Sequence, residues 1–513
     1  MKLLLGFMLA LGIATGPAVA QEDDEQEDQS RRRGEQREEI PVGEPQQFIT
    51  TTTGRFNDEL IRYTAIAGDT FLRNNRDEPI ASIFSISYVK DGLQDPKERP
   101  LTFIFNGGPG SASLWLHMGI FGPKRIVVPS DGAPVGAPPY NIALNPLSIL
   151  DVTDLVFVDP VGTGYSRAIG KGRGNDFWGV REDARALADF IRLYITENKR
   201  WNSPRYLIGE SYGTTRVAAL VKELQARYNG IAINGVVLIS AILDFQGTTF
   251  RPGNDYSYVA YLPSFAATAW YHKKLENRPQ NIETLLDEVR AFAINEYAPA
   301  LLKGSRLTDT ERQTIVTKLA SYTGLSETYL ERANLRVSAP RFQKELLRAE
   351  GKTVGRFDSR YTGDDYDDAG EVSDDDPAAY GIDAAYVTSI NDYLTRELGV
   401  TIKREYKILP FEVSRAWNWS TGRRGGWPGY VNVAPWLGQG MRQNNDLKVF
   451  VANGYYDLAT PFFGTENTLA NNGIDPKRVT FAYYEAGHMM YTHQPSLEKL
   501  ASGVRLLISG GPP

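Results

Sequence analysis

Short apolar runs and longer amphipathic segments alternate along the first half of the chain. Five runs have the length and composition of buried strands: residues 82–88, 101–105, 155–158, 205–208 and 235–239. Apolar residues at helical spacing separate the later runs, most clearly over residues 181–198. Because buried strands that alternate with amphipathic helices form parallel sheets, we expect a mostly parallel sheet flanked by helices. A hairpin-like pattern at residues 60–90 adds antiparallel strands at one edge.

The alternation stops after residue 243, and a different pattern follows for nearly two hundred residues. Helical patterns at residues 283–303 and 309–350 predict a mainly helical insertion, which we place at residues 245–436 as a lid. Its tryptophans either line a cleft or form a small core of the lid itself. They are Trp417, Trp419, Trp427 and Trp436.

The strand pattern resumes at residues 447–451 and 479–484, and the chain closes in a helical pattern near residues 497–508. An insertion within one sheet is more economical than two unrelated domains in a chain of 513 residues. We therefore expect one α/β domain built from residues 46–244 and 437–513.

The amino-terminal residues differ in composition from the rest of the chain. Residues 1–20 combine a lysine, a short apolar run and small residues before a polar one, which predicts a signal peptide cleaved near Ala20. Residues 22–39 hold nine acids and four arginines without an aromatic residue, so we expect a disordered acidic tail at residues 21–45. The protein is therefore predicted to be exported, either to a periplasm or outside the cell.

Composition excludes several classes of function. The chain has no cysteine, which rules out disulfides, thiolate metal sites and a cysteine nucleophile. The net charge of −6 lies mainly in the acidic tail, and no basic patch suggests a nucleic acid partner. An acidic stretch around Gly370 resembles a calcium loop, but Ala369 stands at a ligand position, which favours a solvated loop. We expect no cofactor and no metal.

The segment 209–213 has the pattern G-x-S-x-G with Ser211 at its centre. In a chain with 48 glycines this pattern also arises by chance as an ordinary turn. Here it follows the strand-like run 205–208 and precedes a helical pattern at residues 214–228. That is the setting of a nucleophile elbow, in which a strained turn lifts the serine hydroxyl clear of the sheet.

A serine nucleophile needs a base and an orienting acid, and both are available at the ends of predicted strands. The chain has four histidines: His117, His272, His488 and His493. We assign structural roles to His117 and His272, and expect His493 to point away from the site. His488 follows the strand-like run 479–484, and Asp457 follows the run 447–451. The order serine, aspartate, histidine is that of the α/β-hydrolases.

Residues 106–110, Asn-Gly-Gly-Pro-Gly, follow the strand-like run 101–105. A glycine-rich loop exposes backbone N–H groups, and one of these can join the N–H of Tyr212 to stabilise an oxyanion. The alternative, a phosphate-binding loop, requires a Lys-Ser/Thr ending that is missing here.

Five segments together resemble the serine carboxypeptidase family. They are residues 106–111, 159–166, 210–213, 453–457 and 487–489, in the family's order. The resemblance implies that Ser211 is the nucleophile, His488 the base and Asp457 the orienting acid. It also implies that the N–H groups of Gly108 and Tyr212 form the oxyanion hole.

The same resemblance implies how a peptide would be recognised. Asn106 and Glu210 are expected to bind the substrate's terminal carboxylate by hydrogen bonds, and Gly107 and Met489 are expected to contact the substrate. Glu210 must hold a proton to face a carboxylate, which requires a raised pKa.

Two residues depart from the family's carboxylate site. Ile104 stands where the family usually has a tryptophan, and Ile120 where it usually has a second glutamate. Either burial alone keeps Glu210 protonated or another donor has taken the missing place. The candidate donors, each with a surface role as the simpler alternative, are Arg216, Arg423 and Arg424.

These patterns lead to an exported serine-type carboxypeptidase of bacterial type as the first hypothesis, acting on peptides through an acyl-enzyme. The departures at Ile104 and Ile120 keep an esterase or acyltransferase on the same fold and triad as the alternative. A binding protein without catalysis is the third hypothesis, and the intact triad argues against it. The oligomeric state stays open.

Overall fold

The computed structural model describes residues 42–226, 229–421 and 429–511. The predicted signal peptide, its cleavage near Ala20 and all but the end of the predicted tail lie outside the described residues. So do Arg423, Arg424 and Trp427. Within the described ranges, no helix combines the length and apolar composition needed to cross a membrane.

The strands, numbered along the chain, form one large sheet and two small ones. They are β1 Gln47–Phe56, β2 Glu59–Arg73, β3 Pro79–Lys90, β4 Leu101–Phe105, β5 Lys124–Ile126, β6 Ile142–Leu144, β7 Asp154–Val158, β8 Arg167–Ala168, β9 Arg205–Glu210, β10 Gly235–Ile239, β11 Thr353–Val354, β12 Thr362–Gly363, β13 Lys448–Gly454 and β14 Val479–Tyr484.

The large sheet has the order β1-β2-β3-β7-β4-β9-β10-β13-β14, with β8 paired to β3. The strands from β7 to β14 along this order pair in parallel, whereas β1, β2, β3 and β7 pair antiparallel. The predicted mostly parallel sheet with an antiparallel edge is therefore confirmed. Strands β2 and β3 form the hairpin predicted at residues 60–90. Strand β1, which pairs with β2 at the edge of the sheet, adds a third antiparallel strand.

Helices flank the sheet and make up most of the insertion. The α-helices of the described ranges are Leu114–Leu116, Val180–Glu197, Tyr212–Leu224, Tyr256–Tyr271, Ile282–Phe292, Ala298–Lys303, Asp309–Thr323, Glu327–Arg332, Ala339–Glu345, Pro377–Tyr380, Asp383–Asp392, Phe411–Arg415, Ala434–Gln443, Phe462–Asn471 and Gln494–Ser509.

The central strands are buried on both faces, as their continuous apolar runs predicted. In β10, Val236 and Leu238 belong to one apolar cluster, and Val237 and Ile239 belong to the cluster on the opposite face. Successive strand residues point to opposite sides of the sheet, so both faces need a helical layer. Helix Val180–Glu197 covers one face with its apolar stripe and carries two acids in its first turn, where the helix dipole favours them.

The chain between β10 and β13 is mainly helical and has an apolar cluster of its own. This cluster includes Tyr456 and Phe462, which follow β13, so the insertion packs on the carboxyl end of the sheet. The boundary we place after residue 436 falls inside helix Ala434–Gln443, which packs against helix Tyr212–Leu224. The division into two core parts and a lid stays a prediction.

Candidate active site

Ser211 lies at the sharp turn between β9 and helix Tyr212–Leu224. Its backbone has φ 59° and ψ −129°, a region that residues with a side chain rarely adopt. Two glycines make the turn sterically possible. A Cβ on Gly209 would lie 2.2 Å from the carbonyl oxygen of Gly213, and a Cβ on Gly213 would lie 2.7 Å from that of Phe105. The predicted elbow geometry is therefore present.

His488 and Asp457 form a hydrogen-bonded pair at the ends of β14 and β13. Nδ1 of His488 lies 2.8 Å from Oδ2 of Asp457, which is fully buried. The other oxygen, Oδ1, accepts from the backbone N–H groups of Ala459 and Thr460 at 2.7 and 2.9 Å, and the Thr460 hydroxyl donates to Oδ2. These donors hold the carboxylate in place, so that it can fix the imidazole with its proton on Nδ1.

Two elements hold the backbone of His488. The hydroxyl of Ser240 donates to the His488 carbonyl at 2.6 Å, and the His488 N–H donates to the carbonyl of Phe357, also at 2.6 Å. The Phe357 ring lies 5.2 Å from the imidazole, centroid to centroid. Phe357 belongs to the insertion, so the position of the imidazole depends on contacts with both the sheet and the insertion.

Burial and charge act in opposite directions on His488. Burial lowers the pKa of the imidazole, but the charge of Asp457 and its hydrogen bond raise it. The charge of Glu210 adds to the rise and that of Arg356 opposes it. The net pKa of His488 lies above its ordinary value of 6.5, which makes the imidazole a stronger proton acceptor.

The loop after β4 lies directly against the elbow. A Cβ on Gly107 would lie 2.6 Å from the Tyr212 nitrogen and 2.9 Å from the Ser211 Cβ, so only glycine permits this approach. Gly108, with φ 101°, lines the same cavity as Ser211. Neither the Gly108 nor the Tyr212 N–H donates a hydrogen bond within the described ranges. Both donors therefore remain available to a ligand.

Glu210 is buried beside Ser211 and has two polar partners. Nδ2 of Asn106 donates to its Oε2, and the hydroxyl of Tyr491 lies 2.9 Å from Oε1 and 3.1 Å from Oε2. Burial raises the pKa of the Glu210 carboxyl to about 7, despite opposition from the charge of His488 and from both hydrogen bonds. Glu210 therefore holds its proton in a large fraction of molecules near neutral pH.

Asn106 is held from two sides. Its Oδ1 accepts from the N–H of Leu116 at 3.1 Å, and its backbone carbonyl accepts from Nη1 of Arg216. Arg216 is 1% exposed, and its Nε donates to Asp183 at 2.6 Å. Both predictions for Arg216, a carboxylate donor or a surface residue, are therefore wrong. The helix after the elbow directs this side chain away from the cavity, into an ion pair that supports Asn106.

Ile104 and Ile120 are fully buried in the same apolar cluster and contribute no polar group. The donor that sequence reasoning missed is Tyr491, three residues after His488. Its position directly after the histidine loop is the one sequence signal that could have drawn attention to it. Arg356 was missed as well: it is exposed, lines the cavity and lies over the Phe357 ring.

These residues surround one cavity of about 680 Å³. The predicted site residues that line it are Asn106, Gly107, Gly108, Glu210, Ser211, Tyr212, His488 and Met489. Asp457 lies behind His488. Ser211 and His488 line the same cavity, although no hydrogen bond joins the Ser211 hydroxyl to the imidazole within the described residues.

Aromatic side chains form much of the cavity wall. They include Trp115, Phe245, Phe250, Tyr261, Phe357 and Trp419. Among the tryptophans of the insertion, Trp419 lines the cavity, whereas buried Trp417 donates to the Tyr212 hydroxyl at 3.1 Å. Trp436 packs elsewhere, with the Lys222 ammonium 3.8 Å from its ring centre. The cleft interpretation thus applies to Trp419. Trp417 packs against Tyr212 and Trp436 against an apolar cluster of the sheet, so neither belongs to the insertion's own cluster.

The other histidines lie outside the cavity. Nε2 of His117 lies 2.7 Å from the hydroxyl of Tyr88, and burial lowers the pKa of His117 to about 3. His272 contacts the carbonyl of Ser359, and His493 contacts the hydroxyl of Ser496. These contacts agree with structural roles.

The acidic stretch around Gly370 is bound by cationic side chains. Lys344 donates to Oδ2 of Asp365 at 2.6 Å and to the carbonyl of Asp367 at 2.5 Å. Arg348 donates to the carbonyl of Gly370 at 2.9 Å. Within the described ranges, no group of three or more His, Asp and Glu residues is arranged to hold a metal ion.

Comparison with known proteins agrees with this geometry. A family model described as serine carboxypeptidase matches residues 86–348, about half of the chain. The lysosomal protective protein of Mus musculus is 29% identical over 196 residues, which are 37% of this chain and 35% of that protein. Serine carboxypeptidase-like 25 of Arabidopsis thaliana is 24% identical over 211 residues, 38% of this chain and 42% of that protein. The chain thus spans less than half the length of these relatives.

A similar solved structure is that of a prohormone-processing carboxypeptidase from Saccharomyces cerevisiae. It superimposes with a TM-score of 0.54 and 17% sequence identity, over 87% of this chain and 91% of that one. At this level of identity the likeness shows a shared fold.

Proposed function

The chain belongs to the serine carboxypeptidase family, and we propose that it removes C-terminal residues from peptides through an acyl-enzyme on Ser211. The observation that carries this proposal is the pair formed by Asn106 and Glu210. A buried carboxyl that keeps its proton near pH 7 lies beside an amide donor and next to the elbow serine. Two such donors suit a substrate carboxylate, which accepts hydrogen bonds from both.

The proposed reaction follows the order of the triad. Nε2 of His488 takes the proton of the Ser211 hydroxyl while the oxygen attacks the last peptide carbonyl. The N–H groups of Gly108 and Tyr212 donate to the resulting oxyanion. The imidazolium then gives its proton to the leaving amino group, and the C-terminal residue departs. Water, activated by the same imidazole, hydrolyses the acyl-enzyme and restores Ser211.

The proton on Glu210 sets an upper pH limit for this recognition. Below pH 7 the protonated carboxyl can donate to the substrate carboxylate, together with Asn106. Above pH 7 Glu210 becomes an anion and repels the substrate carboxylate. We expect kcat/KM for a peptide with a free carboxylate to fall above about pH 7. A peptide amide carries no such charge and should show no fall there.

The test compares an N-blocked dipeptide with its C-terminal amide at pH 6. We expect the free acid to be cleaved at least tenfold more efficiently, measured as kcat/KM. Ser211→Ala should lower kcat by several orders of magnitude with both substrates. Equal cleavage of acid and amide by the wild-type protein would contradict carboxylate recognition.

An ester substrate series distinguishes the second candidate. The apolar residues Ile104 and Ile120 favour an esterase or acyltransferase, since neither adds a donor to the carboxylate site. That candidate predicts ester turnover without peptide turnover at any pH. Labelling of Ser211 by a fluorophosphonate separates both enzymes from a binding protein without catalysis.

Export is part of the proposal and rests on the composition of residues 1–20. Expression in a bacterium with its secretion machinery, followed by amino-terminal sequencing of the product, provides the test. We expect the mature chain to begin at Gln21. An intact amino terminus would contradict export by this route.

A further inference from the structure

Tyr491 has an unusual partner for a buried tyrosine. Its hydroxyl, on a residue only 2% exposed, contacts both carboxyl oxygens of Glu210. A phenol has one proton to donate, so this proton is shared between the two oxygens. A tyrosine buried only for packing needs a single acceptor, which a backbone carbonyl commonly supplies. Tyr491 instead contacts the one carboxyl that adjoins Ser211.

The chain around Tyr491 explains how the ring reaches this place. A short turn, Met490–Thr492, follows directly after the histidine loop and turns the side chain inward. The ring packs against Gly119, where any Cβ would lie 2.4 Å from Cε2 of Tyr491. A side chain at position 119 would therefore exclude the tyrosine. The bare glycine and the tyrosine fit each other across two segments that lie far apart in the sequence.

We propose that Tyr491 is a positioning residue that fixes the orientation and the charge of Glu210 for binding the terminal carboxylate of a peptide. This inference rests on the proposed function of Glu210. When Glu210 is neutral, Tyr491 donates to its carbonyl-like oxygen, so that the proton resides on the other oxygen. When Glu210 is ionised, the same donor stabilises the anion.

The surroundings of Glu210 identify which groups set its charge. The titratable and polar side chains that act on it are Asn106, Asp457, His488 and Tyr491. Tyr386 lies nearby, and the charge of Glu210 raises the pKa of Tyr386. Burial and the charge of Asp457 raise the pKa of Glu210, whereas His488, Tyr491 and Asn106 lower it. Of those that lower it, His488 serves in the triad and Asn106 also faces the substrate. Tyr491 is the donor that can be altered without changing either.

The test is the pH profile of kcat/KM for Tyr491→Phe, with the blocked dipeptide acid and its amide as substrates. Phenylalanine keeps the ring and removes the donor to the ionised form, so the pKa of Glu210 should rise. The pH above which kcat/KM for the acid falls should therefore rise by about one unit. Loss of orientation should raise KM for the acid severalfold below pH 6, with little change in kcat. The amide should show no change at any pH.

Tyr386→Phe is the matched control. Tyr386 is a second fully buried tyrosine beside Gly119, it carries no hydrogen bond to Glu210 within the described residues, and its hydroxyl lies 3.0 Å from a Cβ placed on Gly119. Removing its hydroxyl perturbs the same packing without removing a donor. We expect the pH profile for the acid to stay in place.

A third variant keeps the proposal testable if Tyr491→Phe does not fold. Incorporation of 3-fluorotyrosine at position 491 makes the hydroxyl a stronger donor and leaves the fold intact. A stronger donor stabilises the ionised form of Glu210 and lowers its pKa. The kcat/KM for the acid should then begin to fall at a lower pH.

Two results would overturn the inference. One is a pH profile of kcat/KM for the acid that stays unchanged in the folded proteins altered at position 491. The other is an equal loss of kcat/KM with acid and amide, which would indicate that Tyr491 serves packing alone. A wild-type protein that does not prefer the acid would instead refute the proposed function itself.

Discussion

Ser211 is held in a strained backbone conformation by neighbours that carry no side chain. Gly107 is the closest of these from outside the elbow, because its Cα faces the Tyr212 nitrogen and the Ser211 Cβ. Any side chain there pushes the loop after β4 away from Ser211 and Tyr212. If the displaced N–H groups act on the oxyanion as we propose, kcat should change more than KM.

Gly107→Ala should therefore lower kcat by about a hundredfold or more, with both the blocked dipeptide and an ester substrate. Steady-state kinetics provide the measurement. Gly43→Ala is the matched control, because a Cβ at position 43 meets no atom within 4 Å. A Gly107→Ala protein with normal kcat would show that the loop does not supply the oxyanion donors.

Glu210 couples the site to the stability of the whole chain. The native carboxyl keeps its proton up to about pH 7, whereas the unfolded chain loses it near its ordinary value of 4.5. Between these two values the native state binds more protons, so the free energy of unfolding falls as pH rises. The complete change for this one group is about 3 kcal/mol.

Glu210→Gln cannot ionise and should not show this loss. Urea unfolding of wild-type protein and variant at pH 5 and pH 8 measures the difference. We expect the variant to gain about 2.5 kcal/mol relative to wild type between the two pH values, because part of the change is already complete at pH 5. If wild type and variant differ in free energy of unfolding by the same amount at both pH values, the native pKa of Glu210 is ordinary.

At the scale of elements, the site lies where the carboxyl ends of parallel strands meet the insertion. Strands β4, β9, β13 and β14 each end in a loop that supplies a site residue, which is the usual place for ligands in open α/β sheets. The insertion also supports the loop that carries His488. Oδ2 of Asp358 accepts from the N–H of Gly487 at 3.0 Å, and Asp358 is paired with buried Arg360.

Asp358→Ala should weaken both the fold and the site. It leaves the guanidinium of Arg360 buried without its partner, which costs about 3 to 5 kcal/mol of unfolding free energy. It also frees the loop that carries His488, so kcat should fall equally with acid and amide substrates.

Asp365→Ala is the control for Asp358→Ala. It breaks another buried pair, with Lys344, away from the loop that carries His488. The free energy of unfolding of Asp365→Ala should fall, whereas its kcat should be unchanged. A normal kcat in Asp358→Ala would show that the insertion does not position His488.

Sequence patterns predicted the central elements well, because strands buried on both faces and helices with an apolar stripe have distinct spacings. Strands β4, β10 and β14 have the predicted bounds. The contact between Tyr491 and Glu210 was out of reach, since it joins residues 281 positions apart. Such a contact depends on how two loops pack, and periodicity carries no information about that. The contacts of Arg216 with Asp183 and with the Asn106 carbonyl could not be predicted for the same reason.

At the scale of the whole molecule, one sheet unites all parts of the site. The antiparallel strands β1 to β3 extend its edge, and the insertion interrupts the chain between neighbouring strands β10 and β13. Residues of the cavity therefore come from positions 106 to 492 of the sequence. The elbow serine and the buried glutamate lie side by side in this cavity.

We propose above all that Ser211 acts on the last peptide bond of a chain whose carboxylate is free. The most direct measurement is a time course of peptide digestion at pH 6, followed by mass spectrometry. We expect a ladder of products shortened one residue at a time from the carboxyl end, and no products with Ser211→Ala. Internal cleavage, or a ladder that persists in Ser211→Ala, would contradict it.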